Sequence, residues 1–387
     1  MPGRNIAMAA WREKPNIPMS TPRSRSSSCR NGATGLRSAR RRRVASCRVD
    51  GEAEGEFSLH LSPGFTVNAL TTWERVRLSD RENSVFGGHG AFLEEINAAY
   101  DGDGWNVRVG KQTLGSFGRA WSEHPGIFAK DFAEDYKLTE ALGVAVAVGA
   151  GVVDHADYGR HRVDAAVFML DNTVLSNSIL TRPARGGFLT ERPSRLRFED
   201  GGAGNTRGPS SWMIALGGKD IDALPGLCYG IGHMALARGS DRLTGRATDE
   251  QRHFASLACG FELGRDASLT PLVEWARIRN ADFDGTDAAT GAPVFGRSDY
   301  VTAQLIGRWH GWAAVLGTTL RRNAQDAAAG PLTQDRLYHA SVESQFAGGF
   351  TLGLGWKRER QPIAIDSAGA AGRLDTLGTL ALYMVEF

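Results

Sequence analysis

The sequence predicts an all-β fold: a closed antiparallel transmembrane β-barrel of about 14 strands, or 16, with short periplasmic turns and long external loops. Three observations predict it. Apolar residues alternate with polar or small ones over segments of about ten residues, and the connections between segments alternate between short and long. The longest apolar run, 143–153, has about half the length of a membrane-spanning helix, so helical membrane proteins are excluded.

From residue 56 onward the dominant period of the sequence is two. Near the carboxyl end, for example, Phe350, Leu352 and Leu354 alternate with small or polar residues. Strands of about ten residues match a tilted crossing of a bilayer, whereas globular strands usually have about five or six. The predicted strands are 64–76, 91–100, 105–112, 139–150, 161–170, 209–217, 226–238, 251–263, 267–279, 299–309, 311–322, 335–347, 349–360 and 374–387.

The connections alternate in length along the whole chain. The short ones include 101–104, 264–267, 310–311 and 348–349. The long ones are 77–90, 113–138, 171–208, 239–250, 280–298, 323–334 and 361–373. A transmembrane barrel has short turns on its periplasmic side and long loops outside. Nothing in a soluble β-sandwich requires short and long connections to alternate along the whole chain.

The composition divides the chain into two regions. Residues 1–50 hold 12 Lys and Arg against only Glu13 and Asp50. We therefore expect residues 1–55 to be a basic N-terminal leader, disordered or mis-assigned through an out-of-frame reading, and residues 56–387 to be the barrel. Because no aromatic residues interleave with these arginines, no nucleic-acid partner is predicted.

The last strand of the sequence carries its own signal. Phe387, Val385 and Tyr383 lie on one apolar face, and Glu386 points the other way. A terminal Phe preceded by alternate apolar and aromatic residues resembles the assembly signal of bacterial outer-membrane β-barrel proteins. This resemblance implies recognition by the barrel-assembly machinery.

The chain resembles the porins of Gram-negative bacteria from residue 64 onward, over about 85% of its length. The resemblance lies in PGFTVNALTTWE, GAFLEEINAAYDGDGWNVRVGKQ, DFAEDYKLTEALGV and the last strand, and it does not extend to residues 1–50. It implies a water-filled pore for passive diffusion of small hydrophilic solutes or ions, surrounded by outer-membrane lipid and lipopolysaccharide. It also implies no cofactor, and it leaves a homotrimer open.

Common catalytic signatures are missing from the sequence. It contains no GxSxG, Walker loop, HExxH or paired-cysteine motif, so we predict no catalytic residues and no metal site. Two other classes stay open. One is an outer-membrane β-barrel enzyme of hydrolase type, and the other is a soluble all-β binding protein.

Basic residues are the candidates for the pore lining. The longest loop, 171–208, contains Arg182, Arg185, Arg192, Arg195 and Arg197, and the strands contribute Arg108, Arg321 and Lys357. If this loop enters the lumen, its charge predicts weak anion selectivity, because distant charges are screened beyond about 8 Å. If it lies outside, its arginines face water or surface phosphates. A second long loop, 125–140, either plugs the lumen or caps the rim.

Deleting Phe387, or replacing it with a charged residue, should impair barrel assembly, because the apolar face of the last strand ends there. The measurement is the amount of folded protein in the outer membrane. Membrane levels equal to those of the parent would contradict the assembly role.

Overall fold

The computed structural model describes residues 21–25, 28–30, 46–49, 52–76, 84–85, 89–121, 126–150, 159–181, 196–239, 248–286, 293–325, 333–346, 349–362 and 371–383. The strands are β1 (Thr21–Arg25), β2 (Ser28–Arg30), β3 (Ser46–Val49), β4 (Glu52–Ser62), β5 (Phe65–Arg75), β6 (Ser84–Val85), β7 (His89–Asp101), β8 (Trp105–Gln112), β9 (Ala141–Ala150), β10 (Arg160–Leu170), β11 (Ser178–Thr181), β12 (Ser211–Lys219), β13 (Leu227–Leu236), β14 (Glu250–Cys259), β15 (Phe261–Glu262), β16 (Ala267–Thr286), β17 (Pro293–Trp309), β18 (Trp312–Gln325), β19 (Thr333–Phe346), β20 (Phe350–Pro362) and β21 (Ala371–Tyr383). Short 3₁₀ helices span Ala133–Tyr136, Val174–Ser176 and Phe198–Asp200. In the described ranges, no helix is both long and apolar enough to cross a membrane.

Antiparallel pairing between neighbouring strands builds one large sheet of 18 strands. From β12 to β21 each strand pairs with the next along the chain, apart from the two-residue β15 beside β16. A separate small sheet contains β2, β3 and β6. The expectation of an all-β antiparallel fold is confirmed, and every predicted strand coincides with an observed one.

Three strands of the large sheet were not predicted: β1, β4 and the four-residue β11, which lies inside the predicted loop 171–208. β4 begins at Glu52, four residues before the predicted barrel boundary, and its first half, EAEGE, has no large apolar residue to mark it. β1 lies inside the predicted leader. It pairs with β21 through Ser24 opposite Ala381, and with β4 through Thr21 opposite Glu54.

The two faces of the large sheet differ sharply in character. On the outer face large apolar side chains are exposed, among them Val148 (48%), Leu316 (62%) and Leu377 (65%). The alternate positions form the inner face, where buried residues such as Phe254 and Leu337 lie. The apolar residues of the period-two pattern are therefore divided between an exposed outer surface and a core inside the curve of the sheet.

The connections at one end of the strands are tight, and we call this end the short-turn end. Between β17 and β18, His310 (φ 44°) and Gly311 (φ 80°) form a two-residue hairpin that closes on the pair Trp309 and Trp312. Left-handed φ at both central positions is the type I′ geometry, which glycine adopts without strain.

The connections at the opposite, long-loop end are shorter than expected in the carboxyl half. β16 continues to Thr286 and β17 starts at Pro293, so only residues 287–292 connect them. The predicted loop 280–298 was wrong in its bounds. Cross-strand pairing continues past the apolar segments to polar positions such as Arg279, opposite Arg297, because the pairing is made by backbone groups.

Candidate pore constriction

The described residues of the connection between β8 and β9, 113–121 and 126–140, lie against the inner face, and we call them the inner segment. Its groups contact Arg252 of β14 at one side and Lys357 of β20 at the other. A single segment reaches strands so far apart only if the sheet curves around it. Of the two placements expected for the loop 125–140, the structure has the one inside.

A buried carboxylate of the wall holds the first part of the inner segment. Glu274 of β16 accepts hydrogen bonds from the backbone N–H of Arg119 (2.6 Å) and of Ala120 (3.2 Å), and from the hydroxyl of Tyr136. Burial, and then the neighbouring Glu274 charge, raise the pKa of Tyr136 well above its ordinary value. The phenol therefore stays protonated and continues to donate.

Two basic residues predicted to line the pore also hold this segment. Lys357 Nζ lies 2.6 Å from Asp131 Oδ2, and Arg321 Nη1 lies 2.8 Å from Asp135 Oδ2. Both side chains face inward, where they contact the inner segment. Their charges are paired with carboxylates, however, which reduces the field that they present to a passing solute.

Further hydrogen bonds and apolar contacts complete the attachment. Gln304 Nε2 donates to the carbonyl oxygen of Ala129 (2.7 Å), and the N–H of Gly126 donates to Glu343 (3.1 Å). Phe117 packs edge-on against Phe254, with ring centroids 4.8 Å apart. The main hydrophobic core of the described residues lies between the inner segment and the wall.

A buried ion cluster forms where the inner segment leaves and rejoins the wall. Lys111, at the end of β8, lies 2.8 Å from both Glu140 and Asp171. Its Nζ also donates to the carbonyl oxygen of Leu175 (3.1 Å). A fully buried lysine requires this pairing, because an unpaired charge in such surroundings is costly. The cluster fixes both ends of the inner segment and the start of the next loop.

A cavity of about 230 Å³ separates the inner segment from β4, β5 and β7. Its lining includes five carboxylates and two ammonium groups: Glu54, Glu74, Glu94, Glu134, Glu140, Lys130 and Lys137. Lys130 pairs with Glu134 at 2.8 Å, and Lys137 lies over the ring of Trp121. We call this space the acidic cavity, because carboxylates outnumber cations in its lining.

A second cavity, of about 240 Å³, lies between the start of the inner segment and strands β8, β9, β10, β12, β13 and β14. Its charged lining consists of Arg108, Arg119, Arg162, Lys219 and one acid, Asp164. Arg162 bonds to Asp164 at 2.8 Å. Arg108, a predicted pore residue, lies on the inner face here. We call this space the basic cavity.

The remaining predicted residues are placed elsewhere or lie outside the description. Arg197 is exposed beside the 3₁₀ helix Phe198–Asp200. Tyr383 ends β21. Outside the described residues lie Arg182, Arg185, Arg192, Arg195, Val385, Phe387 and the side chain of Tyr383. The described part of loop 171–208 includes β11, which pairs with β7 in the wall.

Sequence reasoning missed the glutamates of the acidic cavity. Glu54 fell inside the predicted leader, whereas Glu74 follows the alternation beside Trp73 and could have been assigned to the inner face. No such alternation in the sequence indicates the direction of Glu94. The register between β5 and β7 shifts at Leu70, and this bulge brings Glu94 to Thr72, whose hydroxyl donates to it at 2.8 Å.

Replacing Glu274 with Ala should loosen the inner segment, because two backbone N–H groups and the Tyr136 hydroxyl lose their acceptor. Each buried donor left unsatisfied costs about 1–3 kcal/mol. We expect a lower unfolding temperature and noisier, larger single-channel conductance in planar bilayers. Glu262→Ala, the same change at an exposed site on β15, is the control. Quiet conductance of parental size in Glu274→Ala would refute the anchoring role.

The fold was compared with known proteins. No protein-family model matches the chain, and no curated protein matches it. Among solved structures, the outer-membrane channel DcaP of Acinetobacter baumannii aligns with a TM-score of 0.52 and 8% identity, over 95% of this chain and 94% of that chain. OpdK of Pseudomonas aeruginosa, solved with vanillate, aligns with a TM-score of 0.50 and 10% identity, over 95% and 98%.

A loop-deletion mutant of OmpT, an outer-membrane protein of Vibrio cholerae, aligns with a TM-score of 0.50 and 9% identity, over 95% of this chain and 98% of that chain. Identities this low carry information on the fold alone. In each case nearly the whole of both chains is covered. The chain has the β-barrel fold of Gram-negative outer-membrane channel proteins.

Proposed function

We propose that the protein is an outer-membrane porin, a channel for passive diffusion of small hydrophilic solutes or ions. The observation that carries this proposal is the inner segment, which is held against one part of the wall and leaves two cavities with charged linings. Polar, charged linings inside a sheet whose outer face is apolar suit a water-filled path through a membrane.

The pairings of β1 support a closed barrel of 16 strands. One part of β1 pairs with β21 and the other with β4, so this short strand joins the last long strand to the first. Closure is what a membrane requires, because an open sheet edge in lipid leaves backbone groups without hydrogen bonds. The count takes β4, β1 and the 14 predicted strands together.

The outer face supports placement in a bilayer. Large apolar side chains are exposed on strand after strand, and Trp309 and Trp312 stand at the short-turn end, where a girdle of aromatic residues is expected. A soluble protein rarely exposes apolar surface on this scale. The alternatives of a soluble binding protein and of a hydrolase-type enzyme are not better supported by the fold comparisons.

A homotrimer is the assembly state that we propose, and the outer face suggests which side of the barrel it would use. Strands β8 to β10 present mainly valines outward, including Val109, Val144 and Val167. Such a surface of small branched side chains fits lipid or a second copy of the chain. A homotrimer would therefore use this side of the barrel, and light scattering of the detergent-solubilised protein would detect it.

The two cavities should act on ions in opposite directions. Carboxylates exceed cations in the acidic cavity, and cations exceed carboxylates in the basic cavity. A solute that passes both cavities meets one lining with excess negative charge and one with excess positive charge, so net charge selectivity should be weak. This proposal rests on residues placed inside the sheet, whereas the expected anion preference rested on loop 171–208 entering the lumen.

Removing charge from the acidic cavity and removing charge from the basic cavity should shift the reversal potential in opposite directions. The triple variant Glu54→Gln, Glu74→Gln, Glu94→Gln should shift it toward anions, and Arg108→Gln should shift it toward cations. Both shifts should shrink in about 1 M salt, where the screening length falls to about 3 Å. The measurement is the reversal potential of single channels in neutral-lipid bilayers under a salt gradient.

Control measurements distinguish an effect on the permeation path from an effect on the fold. Glu262→Gln, on the exposed strand β15, should leave the reversal potential unchanged. A purified protein that inserts into bilayers without conducting would overturn the porin proposal. A conducting triple variant with the parental reversal potential would instead show that solutes bypass the acidic cavity.

A further inference from the structure

A row of arginines lies on the outer face at the long-loop end of β16 to β20. It comprises Arg279, Arg297, Arg322, Arg336, Arg358 and Arg360, which we call the arginine belt. The alternation places them outward: Leu354, Trp356 and Arg358 share one face of β20, and Leu354 is 55% exposed. The belt therefore begins where the apolar surface of these strands ends.

The belt places like charges directly opposite each other. Arg279 is the cross-strand partner of Arg297, and Arg336 is the partner of Arg360. Like charges at directly opposed positions destabilise a sheet. The chain tolerates two such pairs, separated by β18, at the same end of one surface, which is the arrangement expected if an anion binds between the two arginines of each pair.

The acids on the same surface do not neutralise the belt. Asp299 lies 3.0 Å from Arg297 and 2.5 Å from Arg277, so it is shared between two arginines. Asp375 pairs with Arg358 at 2.7 Å. Arg279, Arg322, Arg336 and Arg360 are exposed. The described part of this surface thus keeps an excess of guanidinium groups.

The position of the belt indicates what kind of anion it binds. Arg358 lies over the ring of Trp356, with 5.1 Å between guanidinium carbon and ring centroid, and Arg277 lies over Trp275 at 5.2 Å. Tryptophan is typical of the boundary between hydrocarbon and headgroups. An anion at this height, on an outward face, belongs to a lipid headgroup rather than to a solute inside the pore.

We propose that the arginine belt binds the phosphate groups of a phosphorylated glycolipid in the outer leaflet. A phosphate between two opposed guanidinium groups accepts hydrogen bonds from both, because the planar donors of arginine match its oxygen geometry. The proposal rests on the membrane placement argued above. It adds a specific side of the barrel and a specific headgroup chemistry.

The first test uses one member of each like-charge pair. In detergent without lipopolysaccharide, Arg336→Gln and Arg279→Gln should each raise the unfolding temperature, because the repulsion across the sheet is relieved. Added lipopolysaccharide should stabilise the parent and stabilise these variants less. Arg265→Gln and Arg308→Gln, exposed at the short-turn end, are the controls and should respond like the parent.

The second test measures binding and identifies the source of the phosphate. The variant Arg279→Gln, Arg297→Gln, Arg336→Gln, Arg360→Gln should bind lipopolysaccharide micelles at least about tenfold more weakly, because it lacks four guanidinium groups that would donate to the phosphates. A tenfold change corresponds to about 1.4 kcal/mol. Dephosphorylated lipopolysaccharide should not distinguish parent from variant. Inorganic phosphate at the same phosphorus concentration should stabilise the parent little.

The outcomes separate this proposal from the porin proposal. Equal binding of lipopolysaccharide by parent and quadruple variant, with parental conductance in both, would overturn the belt while leaving the channel intact. Equal stabilisation by free phosphate and by lipopolysaccharide would overturn the lipid headgroup as the ligand. Failure of the parent protein to insert into bilayers would remove the membrane placement on which the belt depends.

Discussion

The rest of this structure depends on one constraint: the backbone N–H and C=O groups along the edge of each strand need hydrogen-bond partners. β8 stops at Gln112, where the chain turns inward, and this leaves the edge of β7 uncovered at Gly90–Phe92. β11, from a loop that starts 59 residues later at Asp171, fills the gap by pairing with those residues. The wall therefore stays hydrogen-bonded at the point where the inner segment leaves it.

Because the outer face is apolar, the charged and polar side chains and the hydrophobic core must both lie in the interior. The inner segment meets both needs. One side of it contributes Phe117, Phe132 and Tyr136 to the core against the wall, and the other side contributes Lys130 and Glu134 to the acidic cavity. The segment fills part of the interior without being loose, because its backbone N–H groups bond to wall carboxylates.

Arginines take different roles according to the face on which they lie. Arg321, on the inner face, is held between Asp335 and Asp135 and fastens the inner segment. Arg322, its neighbour in sequence, points outward into the arginine belt. Two arginines that are adjacent in sequence therefore have different roles, one in a structural ion pair and one as a surface charge, because successive side chains of a strand point to opposite faces.

The sequence by itself determined 14 strand segments, their faces and the order of short and long connections, since each depends on residues close together in the chain, whereas β1, β4 and β11 were found only in the structure. The inward direction of Arg321 and Lys357 followed from the same alternation. Their partners did not, because Asp135 and Asp131 lie 186 and 226 residues away. Only the tertiary structure decided that 113–121 and 126–140 form the inner segment, since this depends on how the sheet curves. It also decided that Glu94 lines a cavity, because a bulge in the register of two strands sets that side chain's direction.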